Sequence, residues 1–131
     1  MAALHQRSFA VPRPWRADEF AVILLDPLSF TLFESGGFMI GRTVADEAEI
    51  LTVAVDPAAR RHGIGARLVQ GFITCAKIRG ATTAFLEVAA DNTPAISLYL
   101  QAGFAKVGLR RGYYARPPAG TIDAVIMSRA L

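Results

Sequence analysis

The sequence predicts a mixed α/β fold, an α+β arrangement in which a mostly antiparallel sheet is flanked by helices. Three observations carry that reading. Phe30–Phe33 and Phe38–Val44 are strand-like runs joined at Gly36-Gly37, a pair that supplies the positive φ angles of a tight hairpin turn. Ile64, Leu68, Phe72 and Ala76 recur every fourth residue, with Val69 and Ile73 beside them, the spacing of one buried helical face. That helix lies between two apolar runs, Glu49–Val55 and Ala84–Val88, so the strand–helix–strand unit is expected to be parallel and right-handed.

The remaining elements follow in order. Ala2–Ser8 reads as a short helix broken by Arg13-Pro14-Trp15. Asp18–Leu25 reads as a second helix, with Phe20, Ile23 and Leu24 on one side and Asp26-Pro27 as its stop. Asp46-Glu47 turns the chain into the Glu49–Val55 strand, and Gly80 ends the long helix. Thr93-Pro94 reads as an N-cap followed by proline at the first helical position, opening a helix through Ile96, Tyr99 and Leu100 to Gly103. Phe104–Leu109 and Ile122–Met127 are the last strands, separated by the loop Arg116–Gly120.

With 131 residues and no repeat or linker, the chain is read as a single domain over 1–131, enough to bury roughly two-thirds of its unfolded surface. No run reaches the ~18 apolar residues of a spanning helix. Arg7, Arg13 and Arg16 interrupt the N-terminus before a signal-type apolar stretch develops. A cytoplasmic protein away from membranes is expected. Cys75 is the single cysteine, which excludes an internal disulfide and a thiolate metal site, and no metal is expected. The net charge of +3 suits an anionic ligand. Apart from Arg60-Arg61 and Arg110-Arg111 the basic residues are scattered, which argues against a nucleic-acid-binding face.

The most informative segment is Val53-Ala54-Val55-Asp56-Pro57-Ala58-Ala59-Arg60-Arg61-His62-Gly63-Ile64-Gly65-Ala66. A buried strand passes through a short loop into a helix start that holds two glycines and follows two arginines. Exposed N–H groups and the helix dipole favour an anion there, and glycine lets phosphate oxygens approach the backbone. An ordinary glycine-containing loop before a structural helix is the alternative. A P-loop lacks its Gly-Lys-Ser/Thr here, and the dinucleotide fingerprint lacks its third small residue, where Leu68 stands.

Arg60-x-x-Gly63-x-Gly65 is similar to the Gln/Arg-x-x-Gly-x-Gly/Ala signature of the GCN5-related (GNAT) acetyltransferases. The similarity continues through Leu86-Glu87-Val88, Asn92, Ala95, Leu98-Tyr99 and Gly103-Phe104 to Arg110-Arg111-Gly112-Tyr113-Tyr114. Phe9, Pro14-Trp15 and Phe20 resemble the upstream region of the RimI-type subgroup, which acetylates the N-terminal alanine of a small-subunit ribosomal protein. The resemblance implies acetyl-CoA as cosubstrate. Val53, Ala54 and Val55 would face its pantetheine arm at a splay in the sheet. Arg60, Arg61, His62, Gly63, Ile64, Gly65 and Ala66 would hold the pyrophosphate, and Asn92 would hydrogen-bond the cofactor. It implies a protein N-terminus as substrate, with the protein a monomer or weak homodimer. Two departures stand out. The chain begins inside what would be the family's first helix, so the sheet is expected to lack its first strand and expose an edge. An upstream start or another chain covering that edge would account for this. Ala89 also stands where the subgroup often has arginine.

Transfer of acetyl from a thioester to an amine needs a neutral amine and a proton for the departing thiolate. Glu87, between Leu86 and Val88, is the candidate base, since a carboxylate desolvated on an apolar strand is a more competent one. An ion pair with Arg110 or Arg111 is its structural alternative. Tyr99 is the candidate acid implied by the resemblance, a phenol of pKa ~10 beside a thiol of ~8.5; a core tyrosine is the alternative. An α-amine of pKa ~8 is neutral far more often near pH 7 than a lysine at ~10.4, so a single base fits it better. Arg110, Arg111, Tyr113 and Tyr114 border the peptide groove if the resemblance holds, or form a solvated strand end. His62 is read as an exposed loop residue and Cys75 as a small core residue. Acetylation of a small amine, or acetyl-CoA binding without turnover, are the competing functions.

Overall fold

In the computed structural model, which describes residues 16–59, 63–115 and 120–131, the apolar runs form one six-stranded sheet. Helix α1 (Ala17–Leu25) leads into the hairpin strands β1 (Ser29–Glu34) and β2 (Gly37–Val44) and then β3 (Glu47–Val55). A 3-10 turn, Pro57–Ala59, precedes helix α2 (Ile64–Ile78). Strand β4 (Thr83–Ala89), helix α3 (Thr93–Gln101), β5 (Ala105–Ala115) and β6 (Thr121–Ala130) complete the chain. The strand order is β1-β2-β3-β4-β6-β5, with β3 and β4 parallel and every other pair antiparallel. Among the described residues β1 pairs with β2 alone. The first predicted helix, Ala2–Ser8, lies outside the described residues, as do Phe9, Pro14 and Trp15 of the upstream resemblance.

The helical periodicity places α2 correctly. Ile64, Leu68, Val69, Phe72, Ile73 and Ala76 are all buried and join Met39, Ile50, Leu86, Val88, Tyr99 and Phe104 in the main core. Phe30 stacks on Phe72 with ring centroids 5.9 Å apart. A second, smaller core lies on the other face of the sheet, where Phe20 of α1 meets Phe38, Ile40 and Ala54. Apolar burial on both faces holds the two layers to the sheet.

Several boundaries differ from the sequence reading. Only Gly36 of the hairpin glycines has a positive φ, +85°. Gly37 opens β2, and what it needs is space, since a Cβ there would lie 2.8 Å from Ile64 Cγ2. The next turn is Ala45-Asp46, with Ala45 at φ +54°, so β3 begins two residues early. Leu24 points to solvent at 45% exposure, because α1 buries Phe20 and leaves that side uncovered. Asn92, not Thr93, caps α3, its Oδ1 accepting from the Ala95 N–H at 3.3 Å. Cys75 is half-buried beside the core rather than inside it.

One irregularity sets the faces of β3. Ile40 pairs with Thr52 but Gly41 with Ile50, so Leu51 is an extra residue opposite β2. Before it Ala48 and Ile50 face the main core; after it Val53 and Val55 do. Leu51 itself packs on the smaller core.

Candidate functional site

Strands β3 and β4 pair from Glu47 with Thr83 to Ile50 with Leu86 and no further. Beyond that point β3 runs to Val55 still held by β2, through Val53 with Met39, Ala54 with Phe38 and Val55 with Gly37. Strand β4 runs to Ala89 held by β6. The sheet therefore forks, and the Leu51 bulge lies where it opens. In the fork, β3 presents backbone groups that β4 does not pair. This is the splay expected beside Val53, Ala54 and Val55.

At the end of the same strand, α2 starts from Gly63, whose φ is +73°. The N-cap Gly63 has no side chain to cap this helix start, and the first-turn amides, at Ile64, Gly65 and Ala66, lack intrahelical acceptors as in any helix. Gly65 has a second duty. A Cβ there would lie 3.2 Å from Leu98 Cδ2, so the glycine also lets α2 and α3 approach closely. Arg60, Arg61 and His62 lie outside the described residues. Asn92 uses its Oδ1 to cap α3, which leaves its amide group for any donation to a ligand.

Glu87 is the first β4 residue past the fork. The expectation that it is buried needs correction. Leu86 and Val88 face the main core, so alternation places Glu87 on the opposite, more open face, with 22% of its side chain exposed. There its Oε1 lies 3.2 Å from the Arg110 guanidinium. The sequence reading named this ion pair as the alternative to a catalytic role; the pair exists, and it leaves the second carboxylate oxygen to other uses. The Arg110 guanidinium also lies 5.1 Å from the Tyr113 ring centre.

Tyr114 links the two candidate catalytic groups. Burial, then the negative charge of Glu87, push its phenol up to about 12. Tyr114 in turn lies within electrostatic reach of Tyr99, whose phenol is pushed well above the ordinary tyrosine value, mainly by burial. Tyr99 packs edge-on to Phe104 at 6.0 Å in the main core. Glu87 thus faces away from the main core while Tyr99 lies within it, and Tyr114 is within electrostatic reach of both.

A distortion of β5 places the aromatic pair. Arg110 pairs with Ala124 and Tyr114 with Ile122, so β5 carries two residues more than β6 over that interval. Gly112 takes the left-handed conformation at φ +61° and donates its N–H to Asp123 Oδ1 at 2.8 Å. Tyr113 and Tyr114 emerge from the bulge in an edge-on arrangement 5.1 Å apart. Arg111 is exposed on the same bulge.

Sequence reasoning missed Glu49, Arg42 and Asp123. Glu49 lies on the Glu87 face, on the register row of Arg42 and Phe85. Burial and the Glu87 charge raise its pKa, against the opposing effects of Arg42 and Arg110. An acidic residue within an apolar strand was the available signal, for Glu49 and for Asp123 alike.

The fork, the helix start that follows β3 and the carboxylate just past the fork on β4 make up the candidate ligand and transfer site of this chain. The model of the acetyltransferase (GNAT) family matches residues 4–104, and the chain belongs to that family. It is an acetyl-CoA-dependent N-acetyltransferase. It is 38% identical over 131 residues to the ribosomal protein bS18-alanine N-acetyltransferase of Escherichia coli, covering 97% of this chain and 88% of that protein. It is 38% identical over 122 residues to the N-alpha-acetyltransferase RimI of Mycobacterium tuberculosis, covering 86% and 75%. The crystal structure of the Escherichia coli ribosomal-protein-alanine enzyme superposes with a TM-score of 0.87 at 35% identity, covering 98% of this chain and 84% of that one.

Proposed function

We propose that this chain, acting as a single domain, acetylates a protein N-terminal α-amine, and that its acceptor is the N-terminal alanine of a small-subunit ribosomal protein. The observation that supports the reading is the fork between β3 and β4, with Glu87 the first β4 residue beyond it and Tyr114 within electrostatic reach of both Glu87 and Tyr99. The acceptor is the one named in the relatives that match nearly the full chain.

Acetyl-CoA supplies the acetyl thioester. Val53, Ala54 and Val55 offer the fork-side backbone of β3 to its arm, and the amides of Gly63, Ile64, Gly65 and Ala66 offer donors to its pyrophosphate. Arg60, Arg61 and His62 join that set on the sequence pattern, and Asn92 through its amide. Glu87 takes a proton from the acceptor ammonium, leaving the neutral amine as nucleophile. Tyr99, kept protonated by burial, gives its proton to the leaving sulfur. Burial raises a thiol's pKa in the same sense, so the difference between the two groups governs that transfer. Arg110, Arg111, Tyr113 and Tyr114 border the groove through which the peptide enters.

The test is release of free coenzyme A from acetyl-CoA with a peptide bearing the ribosomal N-terminal alanine. An N-terminally blocked peptide whose amines are all lysines is the control. Release with the free α-amine alone is expected. Equal release from both peptides would overturn N-terminal selectivity, and release with small amines alone would overturn a peptide acceptor.

A further inference from the structure

We propose that Glu49 is an acceptor-binding residue, which together with Glu87 holds the incoming amine as its ammonium ion at the opening of the fork. The inference rests on the reading of the fork as the acetyl-transfer site and adds a residue and a charge preference to it.

The placement comes from the sheet. Glu49 precedes Ile50, the last β3 residue paired with β4, and Glu87 follows Leu86, the last β4 residue paired with β3. The two carboxylates therefore flank the fork point on one face, from adjacent strands. Across that face the charges run Asp26, Arg42, Glu49, Glu87, Arg110. Arg42 is engaged by Asp26 at 2.8 Å, and Arg110 by Glu87 at 3.2 Å. Among the described residues no hydrogen bond or ion pair within 4 Å reaches the Glu49 carboxylate. The groups that act on it are Arg42 from β2, Glu87 from β4 and Arg110 from β5.

A half-buried carboxylate with a like charge beside it and no donor among the described residues is an unfavourable arrangement there. A primary ammonium relieves it. Its three N–H donors can meet two carboxylates at once, and its charge cancels the repulsion between them. The proton then leaves to Glu87, which faces the open part of the fork. Glu49 keeps the amine in place and takes no proton in the reaction.

The experiment compares wild type, Glu49→Gln and Glu49→Asp in coenzyme A release, varying peptide and acetyl-CoA separately, alongside thermal melts at pH 7. A hydrogen bond to a charged group is worth about 1.5–3 kcal/mol, so Glu49→Gln is expected to raise the acceptor KM at least about tenfold with the acetyl-CoA KM unchanged. Glu49→Asp is expected to recover part of the loss. The sign on stability is opposite. A carboxyl whose pKa is raised on folding is penalised in its charged form, so at pH 7 Glu49→Gln is expected to melt above wild type. An unchanged acceptor KM, a fall in kcat alone, or a lower melting temperature would each overturn the proposal. Wild type silent toward every amine while binding acetyl-CoA would instead remove the functional reading itself, and this inference with it.

Discussion

Arg110 on β5 reaches across β6 to place its guanidinium 3.2 Å from Glu87 on β4. The pair is half open to water, so its contribution to stability is small, about 0–1 kcal/mol. Its effect is positional: it engages one carboxylate oxygen of Glu87 and leaves the other outside the pair. Glu87→Gln keeps the shape and removes the proton acceptor. We expect kcat to fall about 100-fold or more with the acetyl-CoA KM unchanged, measured by coenzyme A release.

Tyr99→Phe tests the other half of the site. The ring is buried against Phe104, so phenylalanine preserves the packing and the melting temperature is expected to change little. Loss of the proton donor is expected to lower kcat about 100-fold. Full turnover in this variant would return Tyr99 to a purely structural role.

Gly112→Ala probes the bulge. A Cβ at φ +61° would lie 3.1 Å from Thr121 Oγ1, and a left-handed non-glycine residue costs about 1–2 kcal/mol. We expect urea denaturation to register a loss of that size. Because Tyr113 and Tyr114 follow directly, the acceptor KM should rise while the acetyl-CoA KM stays unchanged.

Asp26 gives the fold an acid-sensitive tie. The Leu28 backbone N–H, then Arg42, lower its pKa. The stability it contributes is complete above the ordinary aspartate value of about 3.9 and fades as pH falls through the lower folded value. Asp26→Asn should therefore lower stability near neutrality and narrow its difference from wild type in urea melts taken toward pH 3.

The sequence made the skeleton readable where periodicity was strong. The α2 face, the hairpin of β1 and β2, and the strand–helix–strand unit all stand where the spacing of apolar residues placed them. It was less informative where pairing between distant strands decides the outcome. Leu51 looks like any strand leucine, and nothing local marks it as the unmatched residue opposite β2. Glu87 was assigned to an apolar strand correctly but to the wrong depth, since the flanking Leu86 and Val88 both face the other side. Glu49 gains its meaning from Glu87, 38 positions later in sequence, across a contact that no motif records.

The Leu51 bulge gives β3 something like a reading frame. Upstream of it even-numbered residues point at α2; downstream the odd-numbered ones do. Removing this single residue would restore plain alternation and leave both ends facing as they do, since Gly41 already pairs with Ile50 and Ile40 with Thr52. Val53 and Val55 would still point at α2, with Ala54 opposite them and Glu49 where it is. What would go is the surplus length and the local bend of the strand where the sheet opens. Deleting Leu51 therefore separates the shape of the fork from the packing of the strand in a way that no substitution at the same place can.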